Sequence, residues 1–264
     1  MPELTESDPN KAVAQFWNSA PCGTRELQEP FGSSEFFKRL AIERDQREPF
    51  IPSFARFDEQ KGKRVLEVGV GAGSDFIRFV RAGAIATGVD LTANGIALVR
   101  KRLGYENLWA ELQVANAESL PYADASFDYV YSWGVIHHSN DTARCAQEIM
   151  RVLKPGGSVC VMIYHLHSLV ALQAYLLYGL LRGRPLRPLR EIIAAHIESP
   201  GTKAFTREEA RRLFTGLSDL RVTSVVTPYD LRYTRSRHLP LCLRHVVPSA
   251  LGWFLVVQGK KPLA

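Results

Sequence analysis

The stretch VLEVGVGAGSD, Val65 to Asp75, sets Gly69, Gly71 and Gly73 at alternate positions directly after an apolar run, with Glu67 before them and Asp75 after. Glycine tolerates positive φ and lets backbone approach a ligand closely, so this pattern reads as a binding loop where a strand hands over to a helix. Two chemistries use such loops: GxGxxG rests a pyrophosphate on a helix N-terminus, and the tighter GxGxG holds a nucleoside without phosphates. The spacing here is the second. Asp90 follows about 20 residues on, where a carboxylate can accept both hydroxyls of a ribose. Asn116 and Ala117, in VANAESLPY, can meet an adenine edge through a side-chain amide and a backbone N–H. His137 and His138 close FDYVYSWGVIHH. Imidazole titrates near neutrality and suits proton transfer; the other reading of the pair is packing, or capping of the helix that Asp141 begins.

These groups need elements to bring them together. Short β-prone runs occur at Arg64 to Val68, Ile85 to Asp90, Leu112 to Ala115, Phe127 to Ser132 and Ser158 to Tyr164. Segments of helical spacing separate them, among them SDFIRFVRAG, TANGIALVRKRLG and DTARCAQEIMRVLKPGG. Strands alternating with helices imply right-handed crossovers and a mostly parallel sheet, whose ligands bind at the carboxyl ends of the strands. Gly83 is expected at a helix C-terminus, and Lys154 to Gly157 (KPGG) is expected to stop a later helix. Thr206 and Glu209, three apart at the start of a helical run, have capping-box spacing. LRVTSVVTPY and LGWFLVVQGKK read as two further strands at the far edge of the sheet.

In this order the motifs resemble those of the class I S-adenosylmethionine-dependent methyltransferases, in particular the small-molecule type 11 group. The resemblance runs from about Lys63 to Tyr164 and rests on VLEVGVGAG, ATGVD, NAESLPY, FDYVYSWGVIHH and VLKPGG. The flanks FWNSAPCGTRE, IPSFARF and LGWFLVV are similar to a bacterial subset of these enzymes. One position departs from the pattern: the usual Asp of the third motif is Asn116, whose amide oxygen can still accept from an adenine amino group.

The resemblance implies an α/β fold, a Rossmann-like doubly wound, mostly parallel seven-stranded sheet with an antiparallel C-terminal edge hairpin. Residues 1–62 would form a helical cap, 63–164 the S-adenosylmethionine core, 165–203 a helical insertion over the acceptor site, and 204–264 a helix and the edge strands. The cofactor would be S-adenosyl-L-methionine and the product S-adenosyl-L-homocysteine. Glu67 would orient the loop or the cofactor's amino group, Gly69 to Gly73 would pass beneath the methionine moiety, and Asp90 would hold the ribose. Leu91 would flank the adenine, Asn116, Ala117 and Glu118 would surround its edge, and Ser132 and Trp133 would lie near the sulfonium.

A sulfonium methyl is already activated, so such an enzyme aligns a nucleophile for in-line displacement. Proximity alone can contribute up to roughly 7–11 kcal/mol. A base is needed only for a protonated acceptor, and His137 and His138 are the candidates. His165, His167 and Arg25 are the candidate acceptor contacts; solvation or packing is the alternative for each. The leucine-rich and aromatic flanks suit a small, lipophilic acceptor.

Composition bounds the remaining choices. The chain has 264 residues, 46% hydrophobic, with a net charge of +6. The basic excess lies beyond about residue 163, where Arg and Lys outnumber Asp and Glu more than two to one. This leaves an RNA methyltransferase as a rival reading, although no RNA-binding module is visible. A non-catalytic S-adenosylmethionine-binding protein, lying on a membrane surface through its basic, leucine-rich insertion, is another. Cys22, Cys145, Cys160 and Cys242 have no metal-ligand spacing, so free thiols and no metal are expected. The N-terminus lacks the basic and apolar segments of a secretory signal, and a cytoplasmic location is expected.

Overall fold

The computed structural model describes residues 10–232 and 239–263. Most of the stretch read for a secretory signal, residues 1–9, lies outside the described residues. Three helices come first, α1 (Asn10–Ser19), α2 (Ser34–Arg47) and α3 (Ile51–Ala55). The alternating region follows as β1 (Arg64–Val68), α4 (Phe76–Arg81), β2 (Ile85–Asp90), α5 (Ala93–Tyr105), β3 (Glu111–Val114), β4 (Phe127–Trp133), α6 (Thr142–Val152) and β5 (Leu153–Tyr164). Then come α7 (Leu169–Tyr178), α8 (Leu189–His196), α9 (Arg207–Leu213), β6 (Ser218–Val225) and β7 (Phe254–Lys260).

The seven strands form one sheet in the order β3-β2-β1-β4-β5-β7-β6. All neighbours from β3 to β5 pair in parallel, while β7 pairs antiparallel with both β5 and β6. The chain order reverses between β1 and β4, which makes their carboxyl ends the switch-point crevice. The expected edge hairpin is therefore an antiparallel pair, but the two strands are far apart in the chain. An excursion from β6 lets β7 slot between β5 and β6.

Period-two burial explains why the strands sit in the middle. Along β4, Tyr129, Tyr131 and Trp133 enter one core and Val130 the other. Along β7, Phe254 and Val256 oppose Leu255 and Val257 in the same way. A third small core joins Phe36, Phe37 and Leu40 of α2 to Ala72 of the glycine loop and Leu98 of α5. The N-terminal helices thus pack directly on the binding loop.

Two expected boundaries move. KPGG lies inside β5 instead of between α6 and the strand, because Leu153 already pairs with Phe127 and the register shifts before Tyr129. Gly156 takes φ +76°, and its N–H donates to Lys261 O at 2.8 Å. α4 starts at Phe76 instead of near Ser74, and its N-cap Asp75 makes no capping bond. That carboxylate is engaged elsewhere. The expected caps of α9 do form, Thr206 and Glu209 making a reciprocal capping box. The four cysteines are unpaired. No helix among the described residues is long and apolar enough to cross a membrane.

Asp230 anchors the β6–β7 excursion. Its Oδ2 accepts from Thr227 N at 2.8 Å, Thr227 Oγ1 at 2.9 Å and Trp253 N at 3.0 Å. Burial pushes its carboxyl up to about 6, against the pull of the Thr227 and Trp253 N–H groups. The folded protein takes up this proton near pH 6 and the unfolded chain only near pH 4, so stability rises as pH falls through that window. Below it the contribution is constant. In urea unfolding, the wild type should gain about 2–3 kcal/mol over Asp230→Asn between pH 7 and pH 4. Parallel pH profiles for the two proteins would refute this account.

Candidate active site

A cleft of about 500 Å³ opens at the carboxyl ends of β1 to β4 and is closed over by α1, α2 and the segment after α8. Its floor is the glycine loop, pinned by Gly69 N and Val70 N donating to Val89 O. The three glycines serve different ends. A Cβ on Gly71 would meet nothing within 4 Å, so this residue, at φ +51°, turns bare backbone to the open cleft. A Cβ on Gly69 would come within 2.2 Å of Val135, and one on Gly73 within 3.0 Å of Val99. Packing against protein, together with φ of +83° and +74°, therefore accounts for the absent side chains at Gly69 and Gly73. Gly73 does not line the cleft, contrary to the expectation that all three residues pass beneath a ligand. Its carbonyl accepts from the buried Arg102.

Asp90 lines the cleft and organises its floor. Its Oδ2 accepts from Gly71 N at 2.8 Å, and its Oδ1 from Thr92 N at 2.9 Å and Thr92 Oγ1 at 2.7 Å. A carboxylate has about four acceptor positions, so this arrangement leaves it room for about one strong bond to a ligand hydroxyl, fewer than the two expected. Burial raises the Asp90 carboxyl, opposed by the Thr92 and Gly71 bonds. Glu67 also lines the cleft, and its Oε2 is buried without a hydrogen-bond partner. Burial, reinforced by the Asp75 carboxylate, holds the Glu67 carboxyl well above the usual range. Such an oxygen calls for a donor or a cation.

Leu91, Asn116 and Ala117 form the next wall. Asn116 Oδ1 accepts from Glu118 N at 2.9 Å, so the amide oxygen expected to read an adenine amino group is already bonded within its own turn. Glu118 itself does not line the cleft. Its Oε1 accepts from Asn10 Nδ2 at 3.1 Å and from Asp141 N at 2.8 Å, tying α1 to the start of α6. Ser132 is likewise off the cleft, fully buried with its hydroxyl donating to Val68 O. Trp133 does line it.

A buried charge network, absent from the sequence expectations, joins the helices to this floor. Arg44 of α2 donates to Asp75 Oδ2 at 2.6 Å and to Glu48 Oε1 at 3.0 Å. Tyr131 Oη donates to the same Asp75 oxygen at 2.9 Å, and Trp133 Nε1 to Glu48 Oε2 at 2.7 Å. Burial works against the Arg44 charge, but Asp75 and Glu48 hold its guanidinium well above its ordinary value. The only trace in the sequence is the i,i+4 spacing of Arg44 and Glu48.

The histidines divide. His138 lines the cleft; its Nδ1 lies 2.9 Å from Ser199 Oγ and 3.0 Å from Thr202 Oγ1, and its Nε2 3.2 Å from Glu198 Oε2. Both of its nitrogens thus face protein groups. His137 is completely buried and neither nitrogen has a partner. Burial, with His138 and Lys203 nearby, keeps it well below the usual imidazole range and neutral. As placed, neither ring offers a free nitrogen to the cleft, so the geometry does not support the expected general-base role. His165 is also buried, bonding Gly252 O at 3.0 Å, and His167 is exposed; neither lines the cleft. Arg25 does, with its guanidinium over the Phe16 ring at 4.5 Å. Glu198, which no motif signalled, reaches the cleft from the segment after α8 and accepts from Tyr164 Oη at 2.6 Å.

The cofactor that the motifs imply fits these residues. Gly71 leaves open space above the loop, Asp90 stands beside it, and the unpartnered oxygen of Glu67 suits a cationic group.

Comparison with known proteins agrees with this geometry. Residues 66–161 match the family described as "Methyltransferase domain". A phthiotriol/phenolphthiotriol dimycocerosates methyltransferase from Mycobacterium ulcerans is 39% identical over 101 residues, 38% of this chain and 36% of that protein. An O-methyltransferase from Aspergillus sclerotiorum is 33% identical over 132 residues, 49% and 48% of the two chains. The match thus spans less than half the length of these curated relatives. A solved S-adenosylmethionine-dependent methyltransferase from Methanosarcina mazei shares the fold, with a TM-score of 0.54 at 22% identity over 82% of this chain and 98% of that one. Residues 66–161 thus match a methyltransferase domain, and they run from β1 into β5 of the seven-stranded sheet, whose fold is shared with solved S-adenosylmethionine-dependent methyltransferases.

Proposed function

We propose that this protein transfers a methyl group from S-adenosylmethionine to a small, lipophilic acceptor. The observation that carries the reading is the continuity of one cleft, in which the bare backbone of Gly71, Asp90 and the unpartnered Glu67 oxygen lead into an aromatic chamber. Trp17, Trp133, Tyr164, Trp253 and Phe254 wall that chamber. When bound, the cofactor supplies an activated methyl group on a sulfonium. Asp90 takes one ribose hydroxyl while keeping the loop in shape, Glu67 faces the amino end, and Leu91 and Ala117 flank the base. Arg44 and Glu48 hold α2 over the site, and the aromatic walls exclude water and align the nucleophile. Alignment, not proton transfer by either histidine, is the main contribution of the protein. Relatives named as a phthiotriol/phenolphthiotriol dimycocerosates methyltransferase and as an O-methyltransferase support a small-molecule acceptor.

A lipophilic acceptor also suits the surface beside the cleft. Leu177, Leu180, Leu181 and Leu186 are exposed, the last at 95%, next to the exposed Arg182 and Arg184. Apolar side chains flanked by cations favour an anionic membrane surface. Within the basic run, Arg190 is held by both oxygens of Glu209, at 2.7 and 2.8 Å, and is engaged away from any phosphate.

Three measurements test the proposal. Incubation with methyl-labelled S-adenosylmethionine and fractionated cell extract should place the label in an organic-soluble small molecule; label only in RNA or protein would overturn it. Asp90→Ala should weaken S-adenosylhomocysteine binding, measured by calorimetry, by about 1–3 kcal/mol. Unchanged affinity would remove Asp90 from the site. The wild type should float with vesicles containing anionic lipid at low salt, and Leu181→Asp with Leu186→Asp should stay behind. Equal flotation of both proteins would discard the membrane contact.

A further inference from the structure

The cluster of His137, His138 and Glu198 at the inner end of the chamber is not explained by methyl transfer. Each residue offers a ligand atom, and these atoms all lie within 4.8 Å of one another. We propose that these three residues form a binding site for a divalent transition-metal ion of the zinc class, with one coordination position open to the cleft.

Four features support the site. Two imidazoles and one carboxylate form a donor set used by zinc sites that keep a fourth position for water or substrate. The 3.2 Å between His138 Nε2 and Glu198 Oε2 is close to the separation of about 3.3 Å between two ligands at tetrahedral angles on bonds of about 2.0–2.1 Å. His137 is fully buried with both nitrogens lacking hydrogen-bond partners, so a polar ring is enclosed with nothing to bind it. The supporting groups that a metal site needs are also present. Ser199 Oγ and Thr202 Oγ1 fix the other nitrogen of His138, and Tyr164 Oη donates to the Glu198 oxygen, so both ligands are oriented from behind.

Access follows from the same arrangement. His137 and His138 lie on the short 3-10 turn Ile136–His138 and close the inner side. Glu198 keeps 39% of its side chain exposed, and both it and His138 line the cleft. An ion held there would present its open position to the chamber. An oxygen acceptor bound at that position would have a lowered pKa.

The experiment uses the full-length protein, stripped with chelator and dialysed. Titration with Zn2+ by calorimetry should show one strong equivalent, and Co2+ should give the visible absorption bands of a four-coordinate ion. Glu198→Gln, a conservative change at a partly exposed position, should lower Zn2+ affinity at least about tenfold, and His137→Asn should do the same. The first of these does not depend on a core substitution folding normally. Absence of a strong equivalent in the wild type would overturn the proposal. So would unchanged affinity and Co2+ spectra in Glu198→Gln, which would assign the ion to another site such as the exposed Cys22 or Cys242. None of these readouts requires methyl transfer, so the metal site stands or falls separately.

Discussion

A half-buried carboxylate at the end of β2, Asp90, holds the floor of the cleft in its shape. Asp90 receives N–H groups from Gly71 on one side and Thr92 on the other, bridging the loop after β1 to the start of α5. Without that bridge, a loop with three glycines at positive φ has little to select one conformation, because glycine pays the largest entropy cost on ordering. The interactions that shape the floor also reduce what Asp90 has left for a ligand. Binding there is thus an addition to an interaction that the fold already makes.

The second constraint is the ion pair between Arg44 and Asp75, with Glu48, Tyr131 and Trp133 completing it. Buried pairs contribute little net stability, since desolvation offsets their attraction, but removal of one partner leaves an unpaired buried charge. Their effect here is positional. One end of the network is the helix over the cleft, and the other is the loop beneath it. Asp75 consequently gives up capping α4, which accounts for that helix being short and starting late.

The far side of the cleft is built differently, from aromatic rings and few charges. Tyr164 stacks on Trp253 at 4.3 Å and on Phe254 at 5.9 Å, and His137 lies 3.9 Å from the Tyr164 ring. Stacked rings make a rigid wall on this side of the cleft. The polar groups in this wall are few and clustered, with Glu198 linking Tyr164 to His138. The exposed Leu177, Leu180, Leu181 and Leu186 do not line this chamber.

Local pattern made much of this legible. The strands from Arg64, Ile85 and Phe127 start where the short β-prone runs start, and the Thr206 capping box and the glycine loop depend only on residues a few positions apart. Asp90, Leu91, Asn116 and Ala117 line the cleft because motif position at a strand end already fixes the side of the sheet they occupy. Other expected residues sit off the cleft, because burial and partners are not local properties. Ser132 and Glu118 sit beside lining residues in sequence, yet one points into the core and the other braces α6. Gly69 and Gly73 are glycines because Val135 and Val99 approach them from distant segments. Arg44, Asp75 and Glu198 gain their roles only when α2 and the chain after α8 fold over the sheet. By itself the sequence determined the elements, their alternation and the cofactor edge, through periodicity and short-range turn chemistry. Tertiary structure alone decided which charges meet over the loop and which nitrogens remain free, because those outcomes depend on long-range packing that no single stretch encodes.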